Sequence, residues 1–146
     1  MNVKTIESVP LRLEVWAKTP SEYTKNALKI ASMEVRGEAL ISKKALETLN
    51  NIQAKNSEKL FANARNLAAG SLRQLDPELV VGRRLEFVAY DMLVEGGPNT
   101  HDREHEILRN IGFKTDPYAS ACTSLEEVFA FYKKIVHLRE SFPYEI

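Results

Sequence analysis

The chain has 146 residues, 44% of them hydrophobic, which is enough for one globular domain with a real core and short for two. Its 20 basic and 20 acidic residues cancel, so any site for a polyanion has to be a local patch and not a field over the whole surface. The single cysteine, Cys122, excludes an intrachain disulfide and a Cys-rich zinc site and fits a reducing, cytoplasmic setting; no apolar run approaches a membrane span, and the opening MNVKTIESVP lacks the apolar core of a signal peptide.

In chain order, Leu11, Leu13 and Val15 alternate with Arg12, Glu14 and Trp16, the period of a half-buried first strand entered through Pro10. Residues 21–31 read as a weakly patterned helix, with Tyr23, Ala27, Leu28 and Ile30 as its apolar set. Residues 33–41 alternate again and are interrupted by Gly37 between Arg36 and Glu38; a glycine inside a strand marks a bulge or a close approach. Ser42 caps a helix from Lys43 to about Ala54 whose stripe is Leu46, Leu49 and Ile52.

The next segment, KLFANARNLAAGSLRQLD from Lys59 to Asp76, crowds polar side chains that resist burial unless paired. Asn63 suits an N-cap, which predicts a short helix from Ala64 to Arg73, and Ala68, Ala69 and Gly70 leave room for another backbone. Arg65 and Arg73 then stand about 80° apart around the axis and about 12 Å apart along it, placed to face one extended polyanion. A solvated face whose arginines pair with nearby carboxylates explains the spacing equally well. Between Lys59 and Arg84 the cations are Lys59, Arg65, Arg73, Arg83 and Arg84, against the anions Asp76 and Glu78.

Residues 85–94 are almost continuously apolar and rich in β-formers, as expected of a central strand covered on both faces. The turn from Glu95 to Asn99 follows, then a helix that Thr100 caps and Gly112 stops. Ser124 and Glu127 form a capping box for a longer helix with a broad apolar face that includes Leu125, Val128, Phe129, Phe131, Tyr132, Ile135 and Leu138. Tyr144 to Ile146 read as the beginning of a strand. The order predicts an α+β fold of mostly antiparallel sheet flanked by helices. His101, His105 and His137 have no metal spacing with one another and read as surface residues, so no metal ligands are expected; Cys122 reads as a buried small apolar residue.

Four blocks carry a family resemblance: MEVRGE from Met33, KLFANARNLAAGSLRQLDP from Lys59, FVAY from Phe87 and FPYEI from Phe142. Together they resemble, in the family's order and over nearly the whole chain, the adenylation domain of bacterial NAD-dependent DNA ligase. The resemblance implies a partial nucleotidyltransferase fold of the ATP-grasp-like ligase kind. It also implies a reaction in which a lysine takes adenylate from NAD, passes it to the 5′-phosphate of a nick and lets the 3′-hydroxyl displace it, with Mg2+ neutralising phosphate charge. Carried onto this sequence, Glu38 holds the adenosine ribose, Tyr90 stacks on adenine, and Arg65 and Arg73 bind phosphates of nicked double-stranded DNA. Taken in isolation, Glu38 reads more readily as a surface strand carboxylate and Tyr90 as a core residue. Arg36 reads either as a group that orients Glu38 or as a member of a plain salt bridge.

The family's nucleophile sits in a Lys-x-Asp-Gly motif, and none occurs here; no catalytic residue is therefore assigned, and Lys43, Lys44, Lys133 and Lys134 lie on expected exposed helix faces. Ala64 stands where the family usually has proline. The expectation is that residues 1–146 form an internal part of the adenylation domain, without the nucleophilic-lysine segment or the later motif strands, inactive alone and partnered by the remaining ligase domains. The alternatives are a non-catalytic nucleic-acid-binding module and an inactive remnant.

Overall fold

The computed structural model describes residues 2–16, 18, 20–27, 29 and 32–145. They form α1 (Glu22–Ala27), β1 (Glu34–Leu40), α2 (Lys43–Lys55), α3 (Ala64–Leu72), α4 (Pro77–Val81), β2 (Glu86–Leu93), α5 (His101–Asn110) and α6 (Leu125–Leu138), with short 3-10 turns at Asn2–Thr5 and Arg139–Ser141. The strands β1 and β2 pair as an antiparallel two-stranded sheet, so the class is α+β. The chain divides into two compact units, one of residues 1–39 and 86–117 and the other of residues 40–85 and 118–146.

The core of the first unit is Ala27, Ala89, Met92, Ile107, Leu108 and Ile111. Strand β2 is its centre: besides β1, it meets the segment at Thr115 through a parallel bridge to Ala89, and the Ala89 N–H donates to the Lys114 carbonyl at 2.8 Å. Helix α5 packs on β2 through Ile107, Leu108 and Ile111, a stripe at helical spacing that is almost completely buried. It ends as expected at Gly112, where Phe113 N–H donates to the Leu108 carbonyl at 2.9 Å and Gly112 N–H to the Arg109 carbonyl at 3.2 Å. This double closure needs a left-handed residue, and Gly112 supplies it with φ of 99°. Thr100 has the extended backbone of a cap, but its side chain makes no capping bond.

Three sequence expectations change in this unit. Residues 11–16 form no strand; Trp16 donates its N–H to the Asn110 carbonyl at 2.8 Å, and Leu11 and Trp16 remain exposed. Alternation makes a strand possible, but only a neighbouring strand satisfies its backbone groups. The helix expected over 21–31 is described only as α1, and Leu28, Ile30 and Ala31 lie outside the described residues. Its anchor is polar: the buried Thr24 hydroxyl lies 3.0 Å from Ser21 Oγ and accepts from Asn110 Nδ2 at 3.2 Å. Strand β2 is not covered on both faces, since Tyr90 and Leu93 are exposed.

In the second unit, Ser42 caps α2 by accepting from Ala45 N–H at 3.2 Å. Asn50 holds the following loop with a reciprocal pair, accepting from Phe61 N–H at 2.8 Å and donating to the Phe61 carbonyl at 3.1 Å. Helix α4 was not expected: Asp76 Oδ1 accepts from Glu78 N–H at 2.9 Å and Pro77 begins the helix. At the C-terminal end, Phe142 is buried and stacks on Tyr118 with centroids 4.2 Å apart, while Pro143 accepts from Lys43 N–H at 2.8 Å. Tyr144 and Glu145 are not in a strand, and Ile146 lies outside the described residues. Cys122 is half-buried.

Helix α6 buries none of its residues fully; Phe131, Ile135 and Leu138 are half-buried, whereas Leu125, Phe129 and Tyr132 are exposed. Its capping box is displaced by one residue. Ser124 Oγ accepts from Glu127 N–H at 3.2 Å, but the Glu127 carboxylate reaches back to the N–H (2.6 Å) and hydroxyl (3.0 Å) of Thr123. The Thr123 backbone bond first, and its hydroxyl second, hold this carboxylate below its ordinary pKa.

Two outcomes follow. A side chain at Gly37 would fall against the Phe87 ring and the Val88 carbonyl oxygen, and the second of these is backbone of the paired strand. Gly37→Ala is therefore expected to lower stability by about 3 kcal/mol in urea unfolding; an unchanged midpoint would show that the sheet has room there. Because the Glu127 pKa is depressed on folding, its contribution is complete above the ordinary carboxylate range and disappears as pH falls through the lowered value. Amide exchange in the first turn of α6 is expected to accelerate across that acidic range, and Glu127→Gln to remove this pH dependence.

Candidate functional site

Helix α3 begins where the sequence places it. Asn63 is extended, with φ of −156°, and its Oδ1 accepts from Asn66 N–H at 2.8 Å. The buried side of the helix is Ala64, Leu67, Ala68 and Ser71, three or four residues apart on one face. At about 100° per residue this leaves Arg65, Ala69 and Arg73 on the far side, and all three are exposed. Arg73 is the helix's C-cap, still in right-handed helical conformation, so the phase is kept.

The small buried side chains let α3 sit close to its neighbours, and one polar group is buried with them. Ser71 Oγ donates to the Leu67 carbonyl at 2.6 Å and accepts from Arg83 Nη1 at 2.9 Å. The Arg83 guanidinium also lies over the Phe61 ring, 5.7 Å from its centroid. Arg83 is thereby tethered and half-buried, whereas Lys59, Arg65, Arg73 and Arg84 are exposed. The basic patch read from the sequence thus separates into one anchoring cation and four outward ones.

Beside α3 lies a cleft of about 250 Å³ lined by Phe61, Asn63, Asn66, Gly70, Gln74 and Arg83 among others. Gly70 faces open space: among the described residues, nothing lies within 4 Å of where its Cβ would be. Among the described residues, the close backbone approach expected at the small residues is therefore not made at Gly70.

Glu38 and Tyr90 belong to the other unit, on the paired strands β1 and β2. Both are exposed, Tyr90 by 50%, so the reading of Tyr90 as a core side chain does not hold. Arg36 Nε donates to Glu34 at 2.7 Å and its Nη1 lies 3.4 Å from Asp91 Oδ2. The Glu34 hydrogen bond is the main cause that raises its pKa. His105 Nε2 lies 3.0 Å from the Tyr90 carbonyl oxygen. A carbonyl only accepts, so Nε2 is the protonated nitrogen. This fastening of Tyr90 to α5 was not readable from sequence, because it joins a helix side chain to strand backbone.

The lysines near no Asp-Gly remain surface residues. Lys44, Lys133 and Lys134 are exposed, and Lys43 Nζ donates to the Glu140 carbonyl at 3.0 Å.

By class, then, this is an α+β protein with an outward arginine pair on one helix and an outward glutamate and tyrosine on one sheet. Its sequence matches the NAD-dependent DNA ligase adenylation domain over residues 1–146, and the chain belongs to that family. It is 44% identical to the DNA ligase of Halothermothrix orenii, 40% to that of Solibacter usitatus and 39% to that of Bacillus subtilis, in each case over 99% of this chain and 20% of the relative. The chain spans about a fifth of the length of the curated relatives it matches. The family is one of ligase enzymes, and its name implies NAD as adenylate donor.

Proposed function

We propose that residues 1–146 are part of the adenylation domain, with the nucleotidyltransferase fold, of an enzyme that seals nicks in double-stranded DNA using adenylate from NAD. The observation that carries this reading is the face of α3 on which Arg65 and Arg73 stand exposed, opposite its buried small residues, in a chain of this family. Arginines whose backbone positions lie about 12 Å apart along the helix axis reach separate phosphates of one strand, and the work of this helix is to bind and align the nicked duplex. Glu38, exposed on β1, accepts from a ribose hydroxyl, and Tyr90, exposed on β2 and fastened through His105, offers its ring to adenine.

NAD supplies the adenylate when bound. The nucleophile that receives it is not among these residues, since the chain has no Lys-x-Asp-Gly. Magnesium belongs to the proposed reaction, but we assign it to no residue here. The described ligand group Asp91, His101 and Glu104 contains an imidazole, unlike the all-oxygen shell that Mg2+ favours. The exposed apolar side chains Leu125, Phe129 and Tyr132 on α6 support the reading that other parts of a ligase pack against this chain. A cytoplasmic enzyme of DNA replication and repair is the corresponding setting; no helix among the described residues is long and apolar enough to cross a membrane.

The test is binding to a nicked duplex by fluorescence anisotropy over a salt series. Replacing both Arg65 and Arg73 by alanine is expected to weaken binding and to reduce the slope of log K against log salt by about 1.8. An unchanged slope would remove both residues from the DNA contact. A second measurement separates ligase part from self-sufficient enzyme: with NAD labelled in its adenylate, this chain is expected to acquire no covalent label, and labelling would overturn the assignment of the nucleophile to residues outside it.

A further inference from the structure

We propose that Asp91, His101 and Glu104 form a binding site for a divalent transition-metal ion. The three come from two elements that pack together, β2 and α5. His101 and Glu104 are one turn apart at the start of α5 and share a face; Asp91 meets them from the strand. One donor atom from each lies within 4.8 Å of the others, and His101 Nδ1 is 3.0 Å from Glu104 Oε2. A four-coordinate Zn2+ with ligands near 2.1 Å sets neighbouring donors roughly 3.4 Å apart. The histidine and glutamate are close to that span, and the Asp91 carboxylate, within 4.8 Å of both, closes the triad by a side-chain shift of at most about 1.4 Å.

The donor chemistry decides the class of ion. One imidazole nitrogen and two carboxylates give a three-ligand set that leaves a position for water, suited to Zn2+ and its neighbours and poorly suited to Mg2+ or Ca2+. The ring of His105 lies 4.4 Å from that of His101, and its Nε2 is engaged at the Tyr90 carbonyl. His105 therefore stands beside the donor set and packs against the ligating ring. The cation competing for Asp91 is Arg36, which has its shorter contact with Glu34, 2.7 Å against 3.4 Å, and keeps that partner when Asp91 turns to the ion. The His101 side chain is 64% exposed, so an ion reaches Nδ1 from solvent.

The rival account needs no ion: a protonated His101 paired with Glu104. Calorimetric titration of the full chain separates the two, with Zn2+ and Mg2+ as probes. The expected result is about one Zn2+ bound per chain and no comparable binding of Mg2+. His101→Ala and Asp91→Asn are each expected to weaken Zn2+ at least about tenfold, and His137→Ala to leave it unchanged. Circular dichroism of each variant shows that the fold persists. The proposal is overturned if Zn2+ does not saturate a site, if His101→Ala binds it as the parent does, or if Mg2+ binds as tightly.

Discussion

A guanidinium group stays charged at any pH a protein meets, so a chain that buries one supplies partners for it. This constraint sorts the arginines. Arg83 is half-buried, with Ser71 Oγ accepting a hydrogen bond from its Nη1 and its guanidinium over the Phe61 ring. Arg36 lies against the sheet with Glu34 and Asp91 as its anions. Helix α3 turns Ala64, Leu67, Ala68 and Ser71 inward, and Arg65 and Arg73 outward. The composition of the buried stripe thus sets the direction of the arginines. Small residues make a face that packs closely, and the helical repeat then fixes what the opposite face carries.

The same logic explains which parts of the molecule were legible in sequence. Helices α2, α3 and α6 were readable because their signals are local: a cap residue, a period and a stop lie within a few turns. Ser42, Asn63 and Ser124 all accept the capping bond. Helix α4 has the same chemistry in Asp76 and Pro77, but five residues carry no period to reveal it. The stretch from Leu11 to Trp16 shows the limit of alternation, since a strand depends on a partner that its own residues do not encode. Strand β2 was legible as a strand and not in its exposure: its apolar run resembles a doubly covered strand, yet Tyr90 and Leu93 are open.

The candidate site divides along the same line. The common face of Arg65 and Arg73 follows from helical geometry once Asn63 fixes the start. The tether between Ser71 and Arg83 spans twelve residues, and the contact from His105 to Tyr90 spans fifteen. Each joins two elements whose packing had to be known first. Spacing among the three histidines likewise gives no hint of the group around His101, because its other two donors are carboxylates and one of them lies on β2.

Tyr90 and Asp91 are consecutive on β2. The Tyr90 carbonyl meets His105, and the Asp91 carboxylate lies near His101 and Glu104, all three in the first half of α5. An ion at Asp91 would hold β2 against α5 at the residue next to Tyr90, and would restrict the backbone from which that ring projects. Ordering a ring before its ligand arrives reduces the entropy lost on stacking. The two proposals are separable in experiment, because Asp91, His101 and Glu104 are not among the residues proposed to meet the nucleotide.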